Sequence, residues 1–243
     1  MKNIVIAAGY ATRLYPLTEN FPKPLLTVGN NTILGRLIDD IDQIPDVTEH
    51  IVVSNHKFVR HFEEWAAARQ GGKPIRVIDD GTETNETRLG AVRDLLLAIN
   101  RCQVDEDILV IAADNILDFS FKGFVDYFKQ KGTSVIMCHE EPELRKLQRT
   151  GVIAVDGDMR VLEMQEKPEH PVSHWAVPPF YIYRKEDLPL IKDCLNHGCG
   201  FDAPGNLAHY LCGVTTIHAY PMPGKRFDIG SLDSYEEAKK RFG

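Results

Sequence analysis

A chain of 243 residues, 43% hydrophobic and 26% charged, has the makeup of an ordinary globular protein and is long enough for one large α/β domain or two small ones. Its formal net charge of -7, without the clustered Lys and Arg of a nucleic-acid surface, argues against nucleic acid as a partner. A phosphorylated small molecule stays open, because a few well-placed cations suffice for that. The opening MKNIVIAAG is too short an apolar run for a signal peptide, and no segment reaches membrane-spanning length, so no membrane partner and a cytoplasmic location are expected. Five cysteines without a CxxC pair read as buried, reduced thiols.

In chain order, Asn3 to Gly9 is a near-continuous apolar run ending in glycine, as in a strand buried on both faces. Ile33, Leu34, Leu37, Ile38 and Ile41 fall at helical spacing and predict a helix from Thr32 to Ile44. A strand at His50–Asn55, a helix at Val59–Arg69 and a strand at Pro74–Asp80 follow. Leu89–Asn100 reads as a helix and Asp107–Asp114 as a second buried strand, then come a helix at Phe121–Lys131 and a strand at Ser134–Glu140. This alternation predicts an α/β fold with a doubly wound, mostly parallel sheet and right-handed crossovers. Such sheets bind ligands at the carboxyl ends of their strands, near a switch in strand order, so functional loops are expected after Ile6, Ile78 and Ala113.

After about residue 150 the texture changes. Gly151–Pro168 reads as a β-hairpin around Asp156-Gly157-Asp158. A strand at Trp175–Tyr183, helices near Glu186–Asn196 and Asn206–Cys212, a strand at Val214–Met222 and a closing helix at Leu232–Phe242 complete the chain. No linker or internal repeat divides it. We expect one domain over residues 1–243, with a nucleotide-binding half to about residue 120 and an acceptor-binding half of hairpin and helices from about 121 to 243.

The loop Gly9-Tyr10-Ala11-Thr12-Arg13-Leu14 is a strand-to-turn junction whose backbone N–H groups can hold phosphate oxygens. Arg13 adds a planar, permanently charged donor. Lys23 lies between Pro22 and Pro24, which should hold it in a stiff, extended segment suited to charge stabilisation in phosphoryl or nucleotidyl transfer. Neither a GxxxxGK[ST] nor a GxGxxG is present, so this is neither a Walker A loop nor a dinucleotide fingerprint. Taken singly, each of these residues is also explained by a turn and a solvated face.

Together, IAAGYATRLYPLTENFPKPLLTV resembles the opening signature of the sugar-phosphate nucleotidyltransferases, the family that joins thymidylyl, uridylyl, cytidylyl or guanylyl groups to sugar 1-phosphates. The resemblance rests on Gly9 to Leu14, Pro16-Leu17-Thr18 and Lys23-Pro24 at fixed spacing, with Ala11 where many members have a second glycine. It implies a nucleotide-diphospho-sugar transferase-like, Rossmann-like fold, nucleotide contacts from Ala8, Gly9, Tyr10, Ala11 and Thr12, and catalytic roles for Arg13 and Lys23. It also implies that Asp79 to Leu89 approaches the nucleobase. Asn85, Thr87 and Arg88 are candidates there, and Leu89-Gly90-Ala91 fits a close backbone approach. The segment lacks the glutamine used by thymidylyltransferases, so the base stays open.

Asp114 stands just past a buried strand, and Asp228 stands in the apolar setting Phe227-Asp228-Ile229-Gly230. Each is by itself explained by a cap or a turn. The resemblance makes them the family's two metal aspartates, and Mg²⁺, which takes one or two carboxylates plus phosphate oxygens, the expected cofactor. Glu166-Lys167-Pro168 resembles the family's EKP motif, with Lys167 on the acceptor's phosphate and Glu166 on its hydroxyls, and Gly151 resembles the glycine that faces the sugar. Where thymidylyltransferases carry Thr-Gly, this chain has Pro178-Pro179, so Pro179 marks an acceptor pocket of a different shape. Relatives often self-associate, which leaves a homo-oligomer open.

The expectation is therefore an enzyme that moves a nucleoside monophosphate from a nucleoside triphosphate to a phosphorylated acceptor, a sugar 1-phosphate first of all, and releases pyrophosphate. A cytidylyltransferase for a non-sugar phosphate or phosphonate is the alternative that Pro178-Pro179 motivates. A non-catalytic nucleotide sensor is the alternative from another class. Because the chain ends soon after Asp228, no second activity is expected.

Overall fold

A computed structural model describes residues 1–243. The first half runs through β1 (Lys2–Ile6), a small hairpin of β2 (Thr27–Val28) and β3 (Asn31–Thr32), α1 (Ile33–Asp42), β4 (Glu49–Ser54) and α2 (Val59–Ala68). It continues with β5 (Ile75–Asp79), α3 (Ala91–Cys102), β6 (Ile108–Ala112), β7 (Asn115–Leu117) and α4 (Lys122–Lys131). The second half begins with β8 (Ser134–Glu140), α5 (Leu144–Leu147) and the hairpin β9 (Gly151–Val155) and β10 (Val161–Glu166). Then come β11 (Trp175–Val177), β12 (Phe180–Tyr183), α6 (Leu190–Asn196), α7 (Gly205–Val214), β13 (Ile217–Pro221), β14 (Arg226–Asp228) and α8 (Leu232–Phe242).

Ten strands form one continuous sheet in the order β10-β9-β11-β8-β12-β6-β1-β4-β5, with β13 pairing β8. The apolar runs of the first half make its parallel block: β1 pairs β6 on one side and β4 on the other, and β4 pairs β5. β1, β4 and β6 are buried on both faces because helices cover both, whereas the edge strand β5 is only half-buried. Ile4, Val110, Tyr181 and Tyr183 point to the side of α3, α6 and α7. Val5, Leu109, Ile111, Phe180 and Ile182 point to the side of α1, α2 and α4. This is the expected doubly wound α/β architecture. The order steps from β1 to β4 and β5 on one side and to β6 on the other, which opens a crevice beyond the carboxyl ends of β1 and β6.

Three local departures from expectation have physical causes. The strand expected over Trp175–Tyr183 is two strands, because Pro178 and Pro179 supply no N–H for the ladder. Antiparallel β12 is wedged between β6 and β8, whereas β11 leaves β6 and pairs β9, and the register against β8 slips between Tyr181↔Ile136 and Ala176↔His139. The helix expected from Leu89 begins at Ala91, since Gly90 has φ +88. The helix expected from Glu186 is a 3₁₀ turn at Lys185–Asp187 followed by α6. The pair β7 and β14 has no counterpart among the expected elements.

A third, smaller core lies under the loop after β1. Leu14, Leu26, Val28, Ile33, Ile116, Ile229, Tyr235 and Ala238 bring that loop, the β2–β3 hairpin, the β7–β14 pair and α8 together. Tyr235 Oη donates to the Thr27 carbonyl at 2.8 Å and pins α8 to the hairpin. The C-terminal helix thereby fixes the strand carrying Asp228 against the segment carrying Lys23.

No helix of the chain is long and apolar enough to cross a membrane. Phe180 is fully buried on β12 and meets Phe121 edge-on, with ring centroids 5.2 Å apart. Phe180→Ala should lose about 3–5 kcal/mol of stability, measured by urea unfolding, with the cost arising in the packing beneath β12.

Candidate functional site

A cavity of about 560 Å³ occupies the crevice beyond β1 and β6. It extends into the wedge that opens where β11 parts from β6. Ala8 to Arg13, Lys23, Asn85, Arg88, Gly90, Asp114, Gly151, Glu166, Lys167, Pro179 and Asp228 all line it, so the three loops expected to carry function meet there. Leu89 does not line it.

At the phosphate end, Asn55 Nδ2 donates to the Ala8 carbonyl at 2.9 Å and Thr18 Oγ1 donates to the Ala11 carbonyl at 2.8 Å. The backbone N–H groups of Gly9, Tyr10, Ala11, Thr12 and Arg13 have no acceptor within the protein. Five consecutive orphan donors beside a cavity make an anion-binding concavity. Ala11 takes the left-handed conformation, φ 48 and ψ 41, which a glycine would adopt without cost. The Arg13 guanidinium has no carboxylate partner.

Lys23 lies in a 3₁₀ turn, Lys23–Leu25, rather than the extended segment expected, and only Pro22 before it is extended. Its ammonium donates to Asp114 Oδ2 at 2.9 Å and to the Ile229 carbonyl at 2.7 Å. Two of its three N–H bonds are thus committed and one is left. Asn115, fully buried, donates to Asp114 Oδ1 at 2.6 Å and accepts from Arg226 Nη1 at 2.7 Å. The β7–β14 pairing sets Asp228 opposite Asn115, and Ile229 N donates to the Asp114 carbonyl at 3.1 Å. Asp114 and Asp228, far apart in sequence, therefore sit side by side. Asp228 opens onto the cavity, yet the surrounding protein mass and then the charge of Asp114 push its carboxyl up, against Arg226, Lys23 and Arg13. Two adjacent acids, of which only Asp114 has a cationic partner within bonding distance, stand next to orphan amides and fit a divalent cation that also needs phosphate oxygens.

The acceptor end is built on the hairpin. Lys167 has φ 49, an unusual conformation for a residue before proline, and only its backbone N–H is bound, to the Thr150 carbonyl at 3.1 Å. Its ammonium, like the guanidinium of Arg149 on the same wall, has no acidic partner. Glu166 is held close to two glycines: a Cβ at Gly205 would lie 2.0 Å from Glu166 Oε2 and one at Gly151 would lie 3.3 Å away. Burial pushes the Glu166 carboxyl up, opposed by Lys167 and His209, and no protein donor satisfies it.

Four titratable lining residues lie outside the set expected from the sequence. Arg149 and Tyr181 were unremarkable in a loop and a strand. Asp202 pairs with Arg88 in a two-pronged contact at 2.7 and 3.1 Å, which ties the loop before α3 to the segment before α7. Asp94 is 3% exposed in the first turn of α3, and burial, with the charge of Asp80 second, raises its carboxyl to about 7.

A model of the nucleotidyl transferase family matches residues 2–242. The chain belongs to the nucleotidyl transferase family. It is 27% identical to the UTP–glucose-1-phosphate uridylyltransferase AglF of Haloferax volcanii over 99% of this chain and 96% of that protein. It is 28% identical to a glucose-1-phosphate adenylyltransferase of Fervidobacterium nodosum, over 98% of this chain and 60% of that protein, and so spans about three fifths of the latter's length. Among solved structures, a UDP-glucose pyrophosphorylase complexed with UDP-glucose superposes with a TM-score of 0.84 at 20% identity, covering 99% of this chain and 97% of that one. That likeness establishes the fold.

Asp94 has a consequence for stability. Its carboxyl titrates near 3.8 when exposed and at about 7 when folded, so the folded chain holds this proton more tightly. Below pH 4 both states are protonated and the group costs nothing. As pH rises from 4 to 7 the unfolded chain ionises first, and above 7 the full penalty applies, at most about 4 kcal/mol. Asp94→Asn should therefore be more stable than the wild type at pH 8 by a margin that shrinks towards zero near pH 4. Urea titrations at pH 8, 6 and 4 would show this, and a margin independent of pH would refute the buried-charge account.

Proposed function

We propose that this protein is a sugar-1-phosphate nucleotidyltransferase, which transfers a nucleoside monophosphate from a nucleoside triphosphate to a sugar 1-phosphate and releases pyrophosphate. The observation that carries the reading is the charge inside the cavity. In a chain of net charge -7, Arg13, Arg149 and Lys167 line one cavity without acidic partners, and two adjacent acids and a run of orphan amides stand on the Arg13 side. Unpaired cations on both sides of the cavity suit two phosphorylated substrates. The names of the relatives, whose acceptors are glucose 1-phosphate, support the same class.

In this mechanism an oxygen of the acceptor phosphate attacks the α-phosphorus, and the bond to the bridging oxygen of the β-phosphate breaks. The acceptor phosphate is already ionised at neutral pH, so no general base is required, and positioning and charge neutralisation do the catalysis. The amides of Gly9 to Thr12 and the guanidinium of Arg13 hold the departing pyrophosphate. The remaining N–H of Lys23 reaches the α-phosphate. Lys167 orients the attacking phosphate, and Glu166 accepts hydrogen bonds from sugar hydroxyls across Gly151 and Gly205. Asn85, Arg88 and Gly90 border the nucleobase, and Pro179 shapes the wall beside the acceptor. Asp114 and Asp228 would hold Mg²⁺, which supplies counter-charge to the phosphate oxygens.

The chain is read as one domain, residues 1–243, whose nucleotide half ends near 120 and whose acceptor half follows. The continuous sheet through both halves supports this. The assembled set of Arg13, Lys23, Asp114, Lys167 and Asp228 speaks against a non-catalytic sensor.

The test is pyrophosphate release from each of four nucleoside triphosphates with Mg²⁺ and a panel of sugar 1-phosphates. At least one pair should turn over, and EDTA should abolish turnover. Arg13→Ala and Asp228→Ala should each lower kcat by about 10²–10³ with unaltered cooperative melting. Near wild-type turnover in both variants would sink the reading.

A further inference from the structure

The chain has two acids that are almost wholly buried, Asp94 and Asp187, each 3% exposed. Their surroundings differ completely. Asp187 accepts hydrogen bonds from Ser134, Arg184 and Thr215. Asp94 accepts none: Oδ1 is shut off from solvent without a partner, and no side chain or backbone group donates to the other oxygen. Nearby Asp80 is also satisfied, by Thr82 N at 2.6 Å and Thr82 Oγ1 at 3.0 Å. An unpaired buried carboxylate is costly, and a fold keeps one where a ligand can complete it.

Asp94 lies where a ligand can reach its other oxygen, Oδ2. Its backbone N–H donates to the Gly90 carbonyl at 2.9 Å, which sets it one helical turn beyond the glycine at the mouth of α3, and it lines the cavity with Gly90, Ala91 and Ile6. The nearest cation on this wall, Arg88, is consumed by Asp202 and by the Asn85 carbonyl at 2.7 Å. This end of the cavity therefore presents an unmet acceptor and no free cationic donor to answer it.

We propose that Asp94 reads the nucleobase and selects one with an amino group on its pairing edge, cytosine, adenine or guanine, over uracil and thymine. The inference rests on the cavity being a nucleoside triphosphate site, as above. Above the pH of about 7 near which it titrates, Asp94 is ionised, and a carboxylate only accepts. Cytosine, adenine and guanine offer it N–H donors, whereas uracil and thymine flank a single N–H with two carbonyl oxygens that a buried carboxylate repels. Selection by repulsion needs the neighbouring cation tied up, and Arg88 is tied up.

The test is calorimetric binding at pH 8.5, where Asp94 is ionised, of CTP, ATP, GTP, UTP and dTTP, each with Mg²⁺, to the wild type, Asp94→Asn and Arg13→Ala. At least one amino-bearing nucleotide should bind the wild type roughly tenfold or more tighter than UTP and dTTP. The amide of Asp94→Asn can donate to a uracil carbonyl, so this variant should close that gap to within about threefold or invert it. Arg13→Ala should weaken all five alike and leave their ratios unchanged. Equal or tighter binding of UTP or dTTP to the wild type overturns the proposal, as does an unchanged ratio in Asp94→Asn. If no triphosphate binds the wild type, the nucleotidyltransferase reading itself fails.

Discussion

The ammonium of Lys23 is the joint on which the catalytic end of this molecule depends. It is bonded at once to a side chain 91 residues away and to a backbone carbonyl 206 residues away, and so fastens the loop after β1, the end of β6 and the strand bearing Asp228 at one point. Without it, Asp114 would lose the one ammonium bonded to it, and only Arg226 and Arg13 would offset the two adjacent acids. The small core of Leu14, Ile116, Ile229 and Tyr235 supports the same joint from below, which explains why a helix at the far end of the chain packs beneath a loop at its start. A lysine with two bonds committed is held rigidly, and a rigid donor meets a developing charge without reorganising first.

The rest of the cavity follows from a second constraint, the two prolines that split one strand in two. A continuous strand from Trp175 to Tyr183 would pair with β6 along its whole length and close the sheet over the space now lined by Gly151 and Glu166. By denying the ladder two N–H groups, Pro178 and Pro179 let β11 cross to β9, and the hairpin swings away from β6. Cations on the hairpin then stand across the opening from the phosphate loop. The phosphate loop and the hairpin are thus two walls of one cavity, held apart by a backbone defect, with the parallel block on one side.

The parallel block was legible because runs such as Asn3–Gly9 and Asp107–Asp114 have no polar face to present to solvent. The phosphate loop, Lys23, Asp114, Glu166 and Lys167 were legible as a pattern, since their spacing matches a known signature although no one of them is informative alone. The β7–β14 pair escaped because each strand is three residues long and its partner lies more than a hundred residues away. No local periodicity encodes such a pairing. The extended conformation expected of Lys23 failed for a related reason: the bias imposed by Pro24 is small beside two hydrogen bonds to distant groups. Leu89 failed because Gly90 turns the backbone before the helix begins, which brings the glycine and not the leucine to the cavity.

Asp94 was legible in principle. Ala91, Val92, Leu95 and Ala98 of α3 all enter the core, and Asp94 stands in the middle of that stripe, three residues from Ala91 and one from Leu95. A helix chosen for stability alone would carry an apolar residue there. The same logic holds for Glu166, kept without a donor between two glycines where a larger residue would supply packing. Both carboxyls are raised by burial, and both border a cavity rather than a sealed core. Unmet acceptors that cost a fold stability and face one open space describe what suits that space: ligands with N–H and O–H donors at the two ends and phosphates between them. A nucleobase at one end and a sugar at the other meet that description, and the acids define the ligand as much as the cations do.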